Sequence, residues 1–242
     1  MLSTSTDIRI LVVERDIFAR QAIMSYLSWD RHTRVIDGVA NQAEMLESLV
    51  ESTNDDRIDV IIMDTSLVKD AQEFLSFFAL VDDIAPQTHI FCLATSADLE
   101  MAATAQAAGA CAYMIRETVG IGIASAVRYA LSHEFVITED IFHLIAANAE
   151  PFPNGAEILP QRREYPRLTQ RIDQALWLCV IEGLPAERAA EEMGVSVSTV
   201  RSYIKEGYRI LEDEDDTLYP HSMSPAERAF QRYSALAITA AA

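Results

Sequence analysis

The chain has 242 residues, a net charge of −18 and an apolar half, and no apolar run approaches the roughly 18 residues a membrane span needs. That length suits one to two domains with real cores and excludes a disordered or membrane-embedded chain. Residues 1–159 carry nine Lys/Arg against 24 Asp/Glu and residues 212–242 carry two against six, whereas 160–211 carry eight against seven, so only that middle stretch can face nucleic acid.

Cys92, Cys111 and Cys179 stand far apart in apolar runs, without metal-site spacing or the even count of a disulfide framework. They read as buried thiols in a reducing compartment. The start, MLSTSTDIRI, has no basic region leading into an apolar core, so a cytoplasmic protein is expected.

Five short apolar runs follow in order: Ile8–Val13, Val35–Val39, Val60–Met63, Ile90–Leu93 and Ala112–Ile115. Helical patterns at 18–28, 41–52, 71–82, 97–108 and 119–132 separate them. Strands apolar on both faces with helices between predict a doubly wound α/β domain around a five-stranded parallel sheet. The site of such a sheet lies beyond the carboxyl ends of its strands. That rule selects Glu14, Arg15 and Asp16 after strand one, Asp64 after strand three, Ala94 and Thr95 after strand four, and Arg116 after strand five.

VVERDIFAR, VIIMDTSL, CLATS and AAGACAYMIRE, at these positions, resemble the receiver domain of two-component response regulators over residues 7–132. The resemblance implies Asp64 as phospho-acceptor, two acids holding Mg²⁺ beside it, a hydroxyl that moves to the phosphoryl group, and a lysine that neutralises it. The chain keeps Asp64 and, in Glu14, one further metal ligand. Arg15 replaces the second acid, with Asp16 one residue late. Ala94 stands at the hydroxyl position, with Thr95 and Ser96 out of register behind it. Arg116 replaces the lysine, keeping the charge on a broader planar fork. The reading preferred from these departures is a receiver phosphorylated poorly or not at all, with Arg15 and Arg116 pairing with Asp64. On that reading no cofactor is required, and Glu14 with Asp64 is only a weak Mg²⁺ pair. The competing reading keeps Asp64 as a genuine acceptor, supplied by a histidine kinase, in an adapted pocket.

Residues 133–166 read as a connector. Thr138 is placed to cap a short helix with Glu139 and Asp140 in its first turn, and His143 reads as a helix-surface or packing histidine. The stretch 150–166, with four prolines and a glycine, reads as a linker between domains.

Ala186, Ala189, Ala190 and Met193 recur at helical spacing, opposite Glu187, Glu191 and Glu192. Gly194 suits a left-handed helix end, and Ser196 or Ser198 suits the cap of the next helix. There Val200, Ile204 and Tyr208 face inward, leaving Ser198, Thr199, Arg201, Ser202 and Lys205 outward. Leu168-Thr169, Arg171, Glu182-Gly183-Leu184, Ala186-Glu187, Ala189-Ala190, Met193-Gly194-Val195-Ser196 and Thr199-Val200-Arg201 resemble the four-helix DNA-binding domain of LuxR/NarL-type regulators. The resemblance puts a helix-turn-helix at 167–211 whose second helix enters the major groove of double-stranded DNA. Ser198, Thr199, Arg201, Ser202, Tyr203 and Lys205 are then the contacts. Gly207 stands where that family has an apolar core residue, so the helix is expected to bend or end early there. Ile210 stands where the family usually has a lysine.

Residues 212–242 start with Glu212-Asp213-Glu214-Asp215-Asp216, which reads most simply as a solvated break. A helix follows, opened by Ser224-Pro225-Ala226-Glu227, and is expected to pack on its own domain. No Gly-rich phosphate loop, nucleophile elbow or His/acid constellation points to an enzyme. The whole reads as a transcription regulator acting as a homodimer, or as an adaptor that binds a protein of the transcription machinery.

Overall fold

The computed structural model of the chain describes residues 7–52, 57–148, 155–220 and 222–237. It divides into two compact units, Met1–Leu159 and Pro160–Ala242.

The first unit is an α/β layered domain. Its strands are β1 (Ile8–Val13), β2 (Thr33–Val39), β3 (Val60–Asp64), β4 (His89–Ala94), β5 (Ala112–Ile115), β6 (Phe135–Ile137) and β7 (Ala156–Ile158). They form one sheet in the order β2-β1-β3-β4-β5-β6-β7, with every pair parallel. Helices α1 (Ile17–Ser28), α2 (Gln42–Glu51), α3 (Ala71–Ile84), α4 (Leu99–Ala107), the single turn α5 (Arg116–Val119), α6 (Ile123–Ala130) and α7 (Glu139–Asn148) supply the crossovers. The apolar runs become strands because both faces are covered: β3 is buried along its whole length, as is β4 from Ile90 to Ala94. Three phenylalanines of α3, Phe74, Phe77 and Phe78, fill the layer over β3 and β4.

The five expected strands are present, but the sheet has seven. Phe135–Ile137 pairs with Ala112 and Tyr113, and Ala156–Ile158 pairs with Phe135–Ile137. The segment read as connector therefore contributes two strands to the first unit, up to the division at Leu159. Part of the linker reading, 150–154, lies outside the described residues. Thr138 is buried, and its hydroxyl accepts a 3.2 Å bond from the Ile115 N–H across to β5.

The second unit is helical. Thr169 caps α8 (Gln170–Leu176), whose axis continues as a π-helical turn, Trp177–Ile181. Then come α9 (Ala186–Met193), α10 (Val197–Glu214) and α11 (Pro225–Tyr233). Gly194 closes α9 at φ 66°, and the Ser196 hydroxyl caps α10 by accepting from the Thr199 N–H at 3.1 Å. Ala189, Ala190, Met193 and Val200 pack with Ala175 and Leu178 in one core, with Ile204 and Tyr203 against its edge. The capping box on α11 forms with both of its bonds, Ser224 to Glu227 and back.

The second helix of the motif neither bends nor stops at Gly207. α10 runs for 18 residues, and Gly207 is buried inside it. A Cβ on Gly207 would lie 2.9 Å from Cγ and both Cδ atoms of Leu176, so the leucine of α8 occupies the volume of the missing side chain. Ile210 and Leu211, one turn on, are buried as well. Packing across the helix pair outweighs the roughly 1 kcal/mol intrinsic cost of a helical glycine.

The acidic run is a solvated break only in part: Glu212, Asp213 and Asp216 are exposed, but Asp215 is not. Glu212, Asp213 and Glu214 complete α10, and Asp215 is buried, bonded to Arg163 at 2.9 Å and 3.3 Å from the Arg232 guanidinium of α11. Arg167 reaches Asp213 and Glu214, and Arg228 reaches Glu212. The segment before α8 also meets the end of the tail in a short antiparallel pairing: the Arg163 N–H donates to Ala235 O and the Ala237 N–H to Gln161 O, both at 2.8 Å. The tail thus closes the helix-turn-helix core through α11, as expected of it, with the acidic run as the joint.

Candidate functional site

Two arrangements of side chains stand out, one in each unit. In the first unit the carboxyl ends of β1, β3 and β5 bring together Glu14, Asp64 and Arg116. Both acids are almost completely buried. The Arg116 guanidinium pairs with Glu14 through Nη2 and lies 3.5 Å from Asp64 Oδ1 through the same nitrogen. Asp64 also caps the 3₁₀ turn Thr65–Leu67, accepting from the Ser66 N–H at 3.1 Å and from its hydroxyl. Burial, together with the adjoining Asp64 carboxyl, pushes the Glu14 pKa above its ordinary value against the lowering effect of the Asp16 N–H and of Arg116. One partly exposed guanidinium so lies between two buried carboxyls.

The other predicted pocket residues go elsewhere. Arg15 is exposed and makes no ion pair among the described residues, so of the two arginines only Arg116 pairs with Asp64. Asp16 is the N-cap of α1, its carboxylate accepting from Phe18 N at 2.8 Å and Ala19 N at 2.9 Å, while its own N–H donates to Glu14 Oε1 at 2.8 Å. Ala94 is buried at the end of β4, while Thr95 and Ser96 are exposed beyond it. Two further residues shape the pocket and were not read from the sequence. Arg20 donates to the Glu14 carbonyl at 2.6 Å, and the buried Tyr113 hydroxyl is hydrogen-bonded to the Thr65 side chain, its pKa raised by burial. The aromatic three residues before Arg116, in AYMIR, was the available signal for Tyr113.

In the second unit the outward row of α10 is as expected: Ser198, Arg201, Ser202 and Lys205 are exposed, and Thr199 and Tyr203 are half-buried. Tyr203 is shared with the core edge, so only its outer part is free for a partner. The Ser196 hydroxyl lies 2.8 Å from those of Ser198 and Thr199, which fixes the start of the helix. Arg171 Nη1 donates to the Met193 carbonyl at 3.4 Å, beside the turn. Of the cations on α10, Arg201 is held by Glu187 and Arg209 by Glu206 and Asp213. Lys205 has no ion pair among the described residues.

Two helices joined through a left-handed glycine, the second presenting hydroxyls and cations, form a helix-turn-helix. Residues 166–211 match the family model of sigma-70, region 4. The region-4-like segment spans α8 through most of α10 and contains all six outward residues, the same helices on which the LuxR/NarL resemblance falls. No curated protein matches the chain. Among solved structures, RcsB from Salmonella enterica serovar Typhimurium, bound to promoter rprA in the presence of the phosphomimetic BeF3-, is similar at 13% identity and a TM-score of 0.48, over 96% of this chain and 100% of that one. A complex of the two-component response regulator RcsB with DNA is similar at 14% identity and 0.49, over 93% and 98%. The response regulator ChrA of a heme-sensing two-component system is similar at 16% identity and 0.44, over 93% and 96%. No helix of the described residues is long and apolar enough to cross a membrane.

Proposed function

We propose that the chain is a cytoplasmic transcription regulator that binds double-stranded DNA through α10 and acts as a homodimer on a paired site. The observation that carries this reading is the outward row Ser198, Thr199, Arg201, Ser202, Tyr203 and Lys205 on a helix that the region-4-like segment presents. Hydroxyls and cations at that spacing suit phosphates and base edges. A single small helix-turn-helix with about neutral charge binds weakly, so two joined units on two half-sites raise affinity.

In the first unit Arg116 takes the place of a divalent cation. Its guanidinium already bridges the two carboxyls that would ligate Mg²⁺, Asp16 is committed to capping α1, and Ala94 offers no hydroxyl to a phosphoryl group. The residues present fit Mg²⁺ poorly, and phosphorylation of Asp64 would have to break the Arg116 bridge first. We read the unit as a platform for dimerisation or for a protein or small ligand, with no need of a histidine kinase.

The experiment replaces Arg201 and Lys205 together by Ala and measures retention on duplexes selected from a random library by the wild-type chain. A loss of about tenfold or more in affinity is expected, since one good base-directed arginine contributes about 1–3 kcal/mol. The second reading, an adaptor for the transcription machinery, is favoured by the acids that pair with Arg201 and Arg209. It requires that no duplex be selected, or that the double variant bind duplexes as the wild type does.

A further inference from the structure

Resting on that reading of α10, the two cations of its exposed row differ in a way that divides their labour. Arg201 is anchored: its Nη2 donates to Glu187 Oε1, in the first turn of α9, at 2.9 Å. Lys205, one turn further along, has no ion pair among the described residues. A guanidinium has five N–H donors in a rigid fork, so one bond to Glu187 fixes its plane and leaves the other donors for a second acceptor pair. Holding the fork in place lowers the rotamer entropy lost on binding. The base edge that matches such a fork is guanine O6 and N7 in the major groove. A free ammonium on a flexible stem is a point charge, suited to phosphate.

We propose that Glu187 is a specificity-determining residue: it aims Arg201 at one guanine of the target, while Lys205 binds backbone phosphate. The Glu187 carboxylate also stands against the phosphate backbone whenever the guanine is absent, and like-charge opposition of this kind discriminates against the wrong site. Sequence preference at that position then comes from the pair, Glu187 with Arg201, rather than from the arginine alone. Both side chains are exposed and outside the helix core, so their removal leaves the fold intact.

The test measures binding of the full chain, by fluorescence anisotropy at several salt concentrations, to the selected duplex and to duplexes with each guanine replaced in turn. In the wild type, replacing one guanine costs about tenfold in affinity. Arg201→Ala makes that replacement cost nothing. Glu187→Ala reduces the cost several-fold and tightens binding to the mismatched duplexes. Lys205→Ala weakens all duplexes alike and lowers the salt slope by about one. The proposal is overturned if Glu187→Ala discriminates as the wild type does, or if it shifts all duplexes equally. If no duplex binds the wild type at all, the DNA-binding reading itself has failed, and that outcome is separable from the first two.

Discussion

Asp215→Ala is expected to destabilise the C-terminal unit by about 3–5 kcal/mol, the range for removing one partner of a buried ion pair. Asp215 is 5% exposed, and the Arg232 side chain, 7% exposed, stands 3.3 Å from it as a buried counter-charge. Without the carboxylate, Arg232 keeps only Glu212, at 3.9 Å, as a counter-charge, together with its bond to the Thr217 carbonyl and its stacking on the Tyr219 ring. The segment before α8 loses its anchor too, because Arg163 bonds to Asp215 at 2.9 Å. Arg163 is more exposed than Arg232, so solvent screens its ion pair more. In a unit of this size each kcal/mol moves the melting midpoint by about 4–8 °C, so calorimetry should find the transition of this unit lowered by more than about 10 °C. Conservative Asp215→Asn keeps the volume and the Thr217 contacts and should lose less.

The same residue sets an acid limit. Burial raises the Asp215 pKa, but the two Thr217 bonds and Arg163 overcome it, and the carboxyl ends below its ordinary value. A depressed carboxylate contributes stability that is complete above the unfolded pKa, near 3.9, and is lost as the pH falls through the lower folded value. Acid titration of the wild type should therefore show loss of stability below about pH 4 that the Ala variant lacks.

Gly207→Val is the second large effect. Even a Cβ would stand 2.9 Å from three atoms of the Leu176 side chain, which is itself 1% exposed. The added methyl groups force either the leucine off its rotamer or α8 away from α10, at a cost of about 1–3 kcal/mol. Gly207→Val combined with Leu176→Ala should recover much of the loss, because the volumes then exchange across the helix pair. Urea titration of both variants checks this. Equal midpoints for Gly207→Val and the wild type would mean that the helices separate freely at this crossing.

The sequence made legible what local pattern determines. Strands β1, β3, β4 and β5 stood out because apolar runs buried on both faces leave no alternation to mistake. The turn at Gly194 and the cap at Ser196 were legible because backbone geometry demands those residue types. What escaped notice depends on partners distant in sequence. Three residues such as Phe135–Ile137 and Ala156–Ile158 carry no strand signal of their own, and become strands only because β5 offers an open edge. Glu212 to Asp216 read as solvated because, Arg209 apart, the arginines that pair with it lie about 50 residues before it and in α11. Gly207 reads as a defect in the helix from sequence alone, because the Leu176 side chain that fills its place lies about 30 residues away. In the pocket, replacement of the family's residues was visible, but their fates were not: Asp16 turns to cap a helix, Arg15 goes to solvent, and Arg116 alone closes over the two acids.

Whether the pocket is a phospho-switch is decided by an anisotropy titration of the full chain on its selected duplex, before and after incubation with acetyl phosphate and Mg²⁺, with Asp64→Asn alongside. Tight duplex binding with the same affinity is expected in all cases, since Arg116 already occupies the charge site beside Asp64. A tenfold gain on acetyl phosphate treatment that Asp64→Asn abolishes would contradict this and make the pocket a working phospho-switch.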